Sequence, residues 1–239
     1  MVRWERDNGT ILSPNSFIPV YENNGKITEL DFYVFARVVE FIAENLKAGR
    51  VQVPISINAS SLHASDPQTI DIYMNILKKH GVDPAMVEIE LTETAVVSEY
   101  KSVRKLFDSF QMHGIKTAMD DFGSGYSVLN TIVDIPVDVI KIDRGFITSC
   151  LETDRGIYFL KHLIAMIQNL GYQIICEGVE TDEQIEILRQ IGCDEIQGYW
   201  YSKPLPMEDY KELLQTEKIS KGGGKTPKQT KSPKICFRQ

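Results

Sequence analysis

The chain has 239 residues, 43% of them hydrophobic and 25% charged, with a formal net charge of −7. That length suits one large domain with a substantial core, and the composition is ordinary for a soluble globular protein. No apolar run approaches the ~20 residues that span a bilayer and no signal-type segment opens the sequence, so no membrane segment is expected.

In chain order, Leu30–Leu46 has helical periodicity, with Phe32, Phe35, Val38, Val39, Ile42 and Leu46 near one face. Val51–Asn58 reads as a strand and Pro67–His80 as a helix stopped by Gly81. Met86–Leu91 is the next strand, and Ser98–His113 a helix with Ser98 as N-cap and Gly114 as its stop. Ile115–Met119 is a strand followed by an Asp120-Asp121 turn and a short helix from about Tyr126 to Val133. Val137–Ile142 is a strand, Asp154–Leu170 a helix ended by Gly171, and Tyr172–Cys176 a strand. Thr181–Ile191 is a helix ended by Gly192, Glu195–Gly198 a short strand, and Pro206–Leu214 a closing helix.

Beyond Glu217 the composition changes. Seven basic residues and no acidic ones lie between Lys218 and the end; removing them from the formal −7 leaves −14 on the body. An acidic body argues against a broad nucleic-acid surface, so no nucleic-acid partner is expected. The tail, residues 218–239, is poor in apolar residues and is expected to be disordered. Its Gly-Gly-Gly-Lys-Thr run is not a phosphate loop, because no apolar strand precedes it and Pro227 follows. The four cysteines show no metal-type spacing, and Cys176 and Cys193 read as small hydrophobes in or beside apolar runs. A reduced, cytoplasmic setting follows.

Alternating strands and helices imply parallel strands with crossover helices. An open doubly wound sheet and a (βα)8 barrel both satisfy that pattern. Nearly every strand ends in a polar residue: Asn58, Glu90, Asp120, Lys141, Glu177 and Gln197. A barrel gathers these ends around one mouth, whereas an open sheet spreads them along a line, so the barrel is preferred. Two adjacent carboxylates, Asp120 and Asp121, are costly unless a cation or hydrogen bonds offset them. Asn58, Glu90, Asp120, Asp121 and Glu177 form an all-oxygen donor set suited to Mg²⁺ or Mn²⁺ rather than zinc. Lys141 can orient a water or stabilise charge on a phosphate beside them.

Read in order, these motifs resemble the EAL domain family, bacterial phosphodiesterases that open cyclic di-GMP to linear pGpG. The resemblance runs from about Val2 to Tyr210. It rests on Phe17-Ile18-Pro19-Val20-Tyr21-Glu22, Ile57-Asn58-Ala59-Ser60, Glu90-Leu91-Thr92-Glu93, Asp120 to Tyr126, Lys141-Ile142-Asp143, Glu177-Gly178-Val179-Glu180, Gln197-Gly198-Tyr199 and Ser202-Lys203-Pro204-Leu205-Pro206. It implies a TIM-barrel-like α/β domain over residues 1–217, a two-metal Mg²⁺ or Mn²⁺ site, and a homodimer. Asn58, Glu90 and Asp120 are then expected to hold one metal, and Asp120 and Asp121 to reach the second. Glu177 is either ligand or base, Lys141 holds the nucleophilic water, and Glu93 anchors the loop Asp120–Ser127. Arg3 is expected to contact a substrate phosphate, and Gln197 a guanine edge.

The sequence also departs from that family. Met1-Val2-Arg3-Trp4 aligns with the end of the motif that names it, so the motif's glutamate, the first barrel strand and most of the second are missing. Ser124 stands where threonine is usual, and Val128 where serine is usual. One lost carboxylate weakens metal affinity and geometric control. Two functions therefore stay open: a cyclic di-GMP phosphodiesterase, with turnover dependent on the missing ligand, and a non-catalytic cyclic di-GMP receptor. An unrelated metal-dependent barrel hydrolase is the weakest alternative.

Overall fold

A computed structural model describes residues 2–50, 53–125, 129–220 and 236–237. A short antiparallel pair comes first, β1 (Trp4–Glu5) with β2 (Ile11–Leu12). Two helices follow, α1 (Pro14–Asn23) and α2 (Ile27–Lys47). The remainder alternates: β3 (Ile55–Asn58), α3 (Thr69–His80), β4 (Val87–Thr92), α4 (Glu93–Ser98), α5 (Tyr100–Met112), β5 (Lys116–Phe122) and α6 (Leu129–Asp134). Then come β6 (Val139–Ile142), α7 (Arg144–Leu151), α8 (Asp154–Asn169), β7 (Gln173–Glu177), α9 (Asp182–Gln190), β8 (Glu195–Gln197), α10 (Met207–Ser220) and β9 (Cys236–Phe237).

Strands β3 to β8 pair in sequence order, all parallel, as a curled half-barrel sheet of TIM-barrel type. β9 adds to the outer side of β3, also parallel, with Ser56 opposite Cys236 and Ile57 opposite Phe237. Of the tail expected to be disordered, residues 221–235 and 238–239 lie outside the described residues, and Lys218 to Ser220 continue α10.

Side-chain alternation along the strands builds two different faces. Outward residues such as Val87, Ile89 and Leu91 of β4, with Met119, Ile140, Ile142, Ile174 and Cys176, pack beneath the helices in the main core. Facing inward, Ala118, Val139 and Ile175 form a small apolar cluster of their own. Two residues further along the same three strands stand Asp120, Lys141 and Glu177. An apolar floor thus carries a charged layer at the C-terminal ends of the strands, the end where barrels of this type build sites.

Helix boundaries follow local chemistry. Thr181 caps α9 with a complete capping box to Gln184, and Gly81, Gly114, Gly171 and Gly192 take φ of 68°, 80°, 96° and 87° after helices, as their positions in the sequence suggest. In α2 the apolar face is as expected except at Leu46, which is exposed. The expected Ser98 cap is a correction: Ser98 ends α4, and its hydroxyl donates back to the Ala95 carbonyl. The helix it was expected to open, α5, starts at Tyr100 with Glu99 at its N-cap and no side-chain cap, while Thr92 caps the preceding α4 by accepting from Ala95 N–H. The strand expected to stop at Met119 runs on to Phe122, so the aspartates lie in the strand and not in a turn. Tyr126 to Val128, the expected start of the next helix, lie outside the described residues, as do Val51 and Gln52.

Cys176 and Cys193 have free thiols with sulfurs 3.2 Å apart. The contact with Cys193 and burial push the Cys176 thiol well above its ordinary value, so it stays protonated and packs as the hydrophobe the sequence suggests.

Candidate functional site

Glu90, Asp120, Lys141 and Glu177 are all essentially inaccessible, at 0%, 1%, 0% and 1% exposure. Lys141 Nζ lies 2.7 Å from Glu90 Oε1, 2.8 Å from Glu177 Oε1 and 3.9 Å from Asp120 Oδ1. With Asp121 the cluster holds four carboxylates and one ammonium, a formal excess of three negative charges where water is largely excluded. Such an excess is very costly unless cations join it.

The two aspartates reach the same place through a break in strand geometry. In a regular strand neighbouring side chains point to opposite faces, so one aspartate of an adjacent pair would turn into the helix layer. Here the β5–β6 register shifts between Met119 and Phe122, and Asp121 takes a φ of 59°, the left-handed region. Its N–H donates to Asp120 Oδ1 at 2.9 Å. The bulge re-aims Asp121 so that oxygens of Asp120, Asp121 and Glu177 all lie within 4.8 Å of one another. Bulges that redirect a side chain beside a functional site are a recurrent device, and a non-glycine residue at this φ is worth tracing to a function.

Asn58 ends β3 directly opposite Glu90 in the ladder. Its Nδ2 is buried without a hydrogen-bond partner. The two ends of a carboxamide are distinguished only by their partners. Turning it about puts an oxygen where the orphaned nitrogen sits, adding a neutral donor to the carboxylates. Four carboxylates and a carboxamide, with no imidazole or thiolate, make a hard-cation donor set. The residues present therefore fit a divalent metal.

Glu93 begins α4, is 5% exposed, and accepts the Gly123 N–H at Oε2, 2.8 Å away. The turn after the aspartates is thus tied to the helix after β4. Gly123 has a φ of 94°, and a Cβ there would come within 2.6 Å of the Phe146 ring, so the turn is closely packed as well as anchored. Glu93→Ala is expected to cost about 1–3 kcal/mol, the usual penalty for orphaning a buried donor, and to speed amide exchange at Gly123. Unchanged exchange would show that the turn is held by its packing alone.

Gln197 ends β8 beside Glu177, its partner in the β7–β8 ladder, and its Oε1 is buried without a partner. Arg3 is not brought into the cluster: it is exposed, and its Nη1 donates to the Val2 carbonyl. An interior acid on β4 escaped the sequence reading. Glu88 is 1% exposed, two residues before Glu90 on the same face of β4, and accepts the Ser56 hydroxyl at 2.7 Å. The alternation Val87-Glu88-Ile89-Glu90 carried that signal.

Fold and site together define a parallel βα half-barrel with an acidic mouth at the strand ends whose donors could hold a metal ion. The EAL domain family model matches residues 1–204, and the chain belongs to that family. It is 31% identical over 214 residues to the cyclic di-GMP phosphodiesterase NbdA of Pseudomonas aeruginosa, covering 90% of this chain and 27% of that protein. It is 28% identical over 208 residues to MucR of the same organism, a bifunctional diguanylate cyclase/cyclic di-GMP phosphodiesterase, covering 87% of this chain and 30% of that protein. The chain thus spans between 27% and 30% of the length of these two relatives. The solved structure of the PaMucR phosphodiesterase in complex with c-di-GMP superposes with a TM-score of 0.79 at 28% identity, covering 87% of this chain and 84% of that one. No helix among the described residues is long and apolar enough to cross a membrane.

Proposed function

We propose that this chain hydrolyses cyclic di-GMP to linear pGpG at the mouth formed by Asn58, Glu90, Asp120, Asp121, Lys141 and Glu177. The observation that carries the reading is the bulge at Asp121, which spends backbone strain to bring a fourth carboxylate to an already crowded buried cluster. The similarity to cyclic di-GMP phosphodiesterases supplies the substrate class. Two Mg²⁺ or Mn²⁺ ions, when bound, supply a hydroxide at neutral pH and charge to offset the phosphate. Asn58, Glu90 and Asp120 hold one ion, and Asp120 and Asp121 reach the other. Glu177 is both a ligand and the acceptor for the proton of the attacking water, while Lys141 donates to that water and orients it. The water oxygen bonds to phosphorus, the bond from phosphorus to the 3′ oxygen breaks, and the leaving oxygen takes a proton from solvent. Glu93 keeps the loop after Asp121 in place. Gln197 Oε1 accepts from a guanine edge, and Arg3 pairs with a substrate phosphate. The reading carries with it a homodimer, a domain over residues 1–217 followed by the basic tail 218–239, and a cytoplasmic setting where the dinucleotide is found.

A second reading, a receptor that holds cyclic di-GMP without cleaving it, is favoured by one observation. The Lys141 ammonium bridges Glu90 and Glu177 and so stands where a cation would otherwise lie between them. The two separate on incubation with cyclic di-GMP and Mn²⁺, following pGpG by chromatography and binding by calorimetry. Product formed only with the cation is expected. Tight binding with no product over hours would sink the enzyme and leave the receptor; neither binding nor product would sink both.

A further inference from the structure

A second buried polar cluster is tied to the segment that follows Asn58, and the chemistry above does not use it. Asp31 of α2 is 8% exposed, His63 1% and Tyr73 of α3 1%. Asp31 Oδ2 accepts the Ser60 backbone N–H at 2.8 Å and lies 3.1 Å from His63 Nε2. The Tyr73 hydroxyl is 3.4 Å from the same nitrogen. An ionised carboxylate only accepts, so the network assigns the imidazole proton to Nε2. His63 Nδ1 is then left as a buried acceptor without a hydrogen-bond partner. Burial, with the Asp31 charge adding to it, pushes the Tyr73 phenol well above its ordinary value, so it stays neutral.

Such a network is expensive in an apolar core, where replacement by hydrophobic side chains of similar volume is often neutral or stabilising. Its placement explains why the cost is worthwhile. The Asp31 carboxylate carries the cluster's hold on the segment that follows Asn58. Ser60 is held by Asp31, and its hydroxyl oxygen accepts from Leu62 N–H to start the short helical turn over 61–65. His63 is held at its ring by Asp31 and at its carbonyl by the Thr69 hydroxyl, 3.0 Å away. From the other side, Ala59 N–H donates to the Glu90 carbonyl at 2.9 Å. The chain leaving Asn58 is therefore pinned to β4 at one residue and to α2 at the next.

We propose that Asp31 is a positioning residue: through the Ser60 N–H and the His63 ring it fixes the Asn58 carboxamide in the cation site. This rests on the metal-binding reading of the mouth. Without Asp31 the β3 exit keeps the pin at Ala59, the Ser61 hydroxyl on Glu99 Oε1 at 3.1 Å and the Thr69 hydroxyl on the His63 carbonyl. It loses the pin at Ser60, two residues from Asn58, and the carboxamide is held less firmly beside Glu90.

The test is Mn²⁺ binding by the full chain, read from the loss of the free-ion resonance signal, with amide exchange of residues 56–64 measured alongside. Asp31→Ala is expected to weaken Mn²⁺ binding about tenfold or more, the scale on which groups supporting a ligand act, and to speed exchange at Ser60. Asp31→Asn retains an oxygen for the Ser60 N–H and is expected to stay within about threefold of wild type, below the range for losing such a group. The double change Asp31→Leu with His63→Leu swaps the polar pair for apolar volume, keeping the fold where Asp31→Ala unfolds. It is still expected to lose Mn²⁺ affinity, which a merely structural role would spare. Full affinity in a folded Asp31→Ala or in the double variant overturns the proposal. A wild-type chain that takes up no Mn²⁺ overturns the metal reading itself, and the role of Asp31 with it.

Discussion

Replacing Asp121 by glycine is expected to raise the thermal unfolding midpoint while reducing Mn²⁺-dependent hydrolysis of cyclic di-GMP by about a thousandfold or more, the upper scale for removing one preorganised electrostatic group. The two effects share a cause. A φ of 59° is uncommon for any residue but glycine and costs an aspartate on the order of 1 kcal/mol. Glycine also removes one of two adjacent like charges from a cluster that already has a formal excess of them. In a chain of this size a gain of about 1–2 kcal/mol corresponds to a rise of roughly 2–8 °C. Asp121→Asn tolerates the same backbone and loses only the charge, so it should lose turnover with a smaller change in midpoint. Retained hydrolysis in either variant would remove Asp121 from the ligand set. A lower midpoint for the glycine variant would show that the bulge is not strained.

That bulge marks the limit of what the sequence could convey. The order of strands and helices was legible because strand periodicity, glycine stops and polar strand ends agree with one another. The mouth residues were legible for the same reason, since Asn58, Glu90, Asp120, Lys141, Glu177 and Gln197 each sit at or near the end of a strand. Asp121 was named a ligand, but nothing local says how two neighbours in one strand can share a face. Two carboxylates in a row look like a turn, and only the ladder to β6 shows the strand continuing through them. α1 escaped because Pro19 sits inside it, where a proline ordinarily argues against a helix. The Asp31–His63–Tyr73 cluster was invisible for another reason. Its members stand 32 and 10 residues apart, and only the packing of α2 on α3 and on β3 brings them together. Arg3 is the opposite case, a residue named through the family resemblance alone, which the fold leaves exposed.

Lys141→Met should make the stability of this protein depend on its cation. Methionine keeps much of the length and apolar contact of the lysine stem while removing the ammonium held 2.7 Å from Glu90 and 2.8 Å from Glu177. Breaking a buried pair from one side costs about 3–5 kcal/mol, because the partner charges stay behind without compensation. The metal-free variant is therefore expected to unfold roughly 10 °C below wild type. Mn²⁺ should then recover most of that loss, since a ligand bound only to the folded state at a hundred times its dissociation constant adds about 2.7 kcal/mol. Wild type already carries a positive charge between Glu90 and Glu177, so its own Mn²⁺ shift should be smaller. Hydrolysis should stay absent in the variant even when stability has returned, because no group then orients the water. Scanning calorimetry with and without Mn²⁺ measures both shifts. Equal shifts would mean that the ammonium and the cation do not compete for the same carboxylates, and the argument for a receptor would lose its basis. A large shift in the variant with none in wild type would mean that Lys141 excludes the cation, and the receptor would then be the better account of this site.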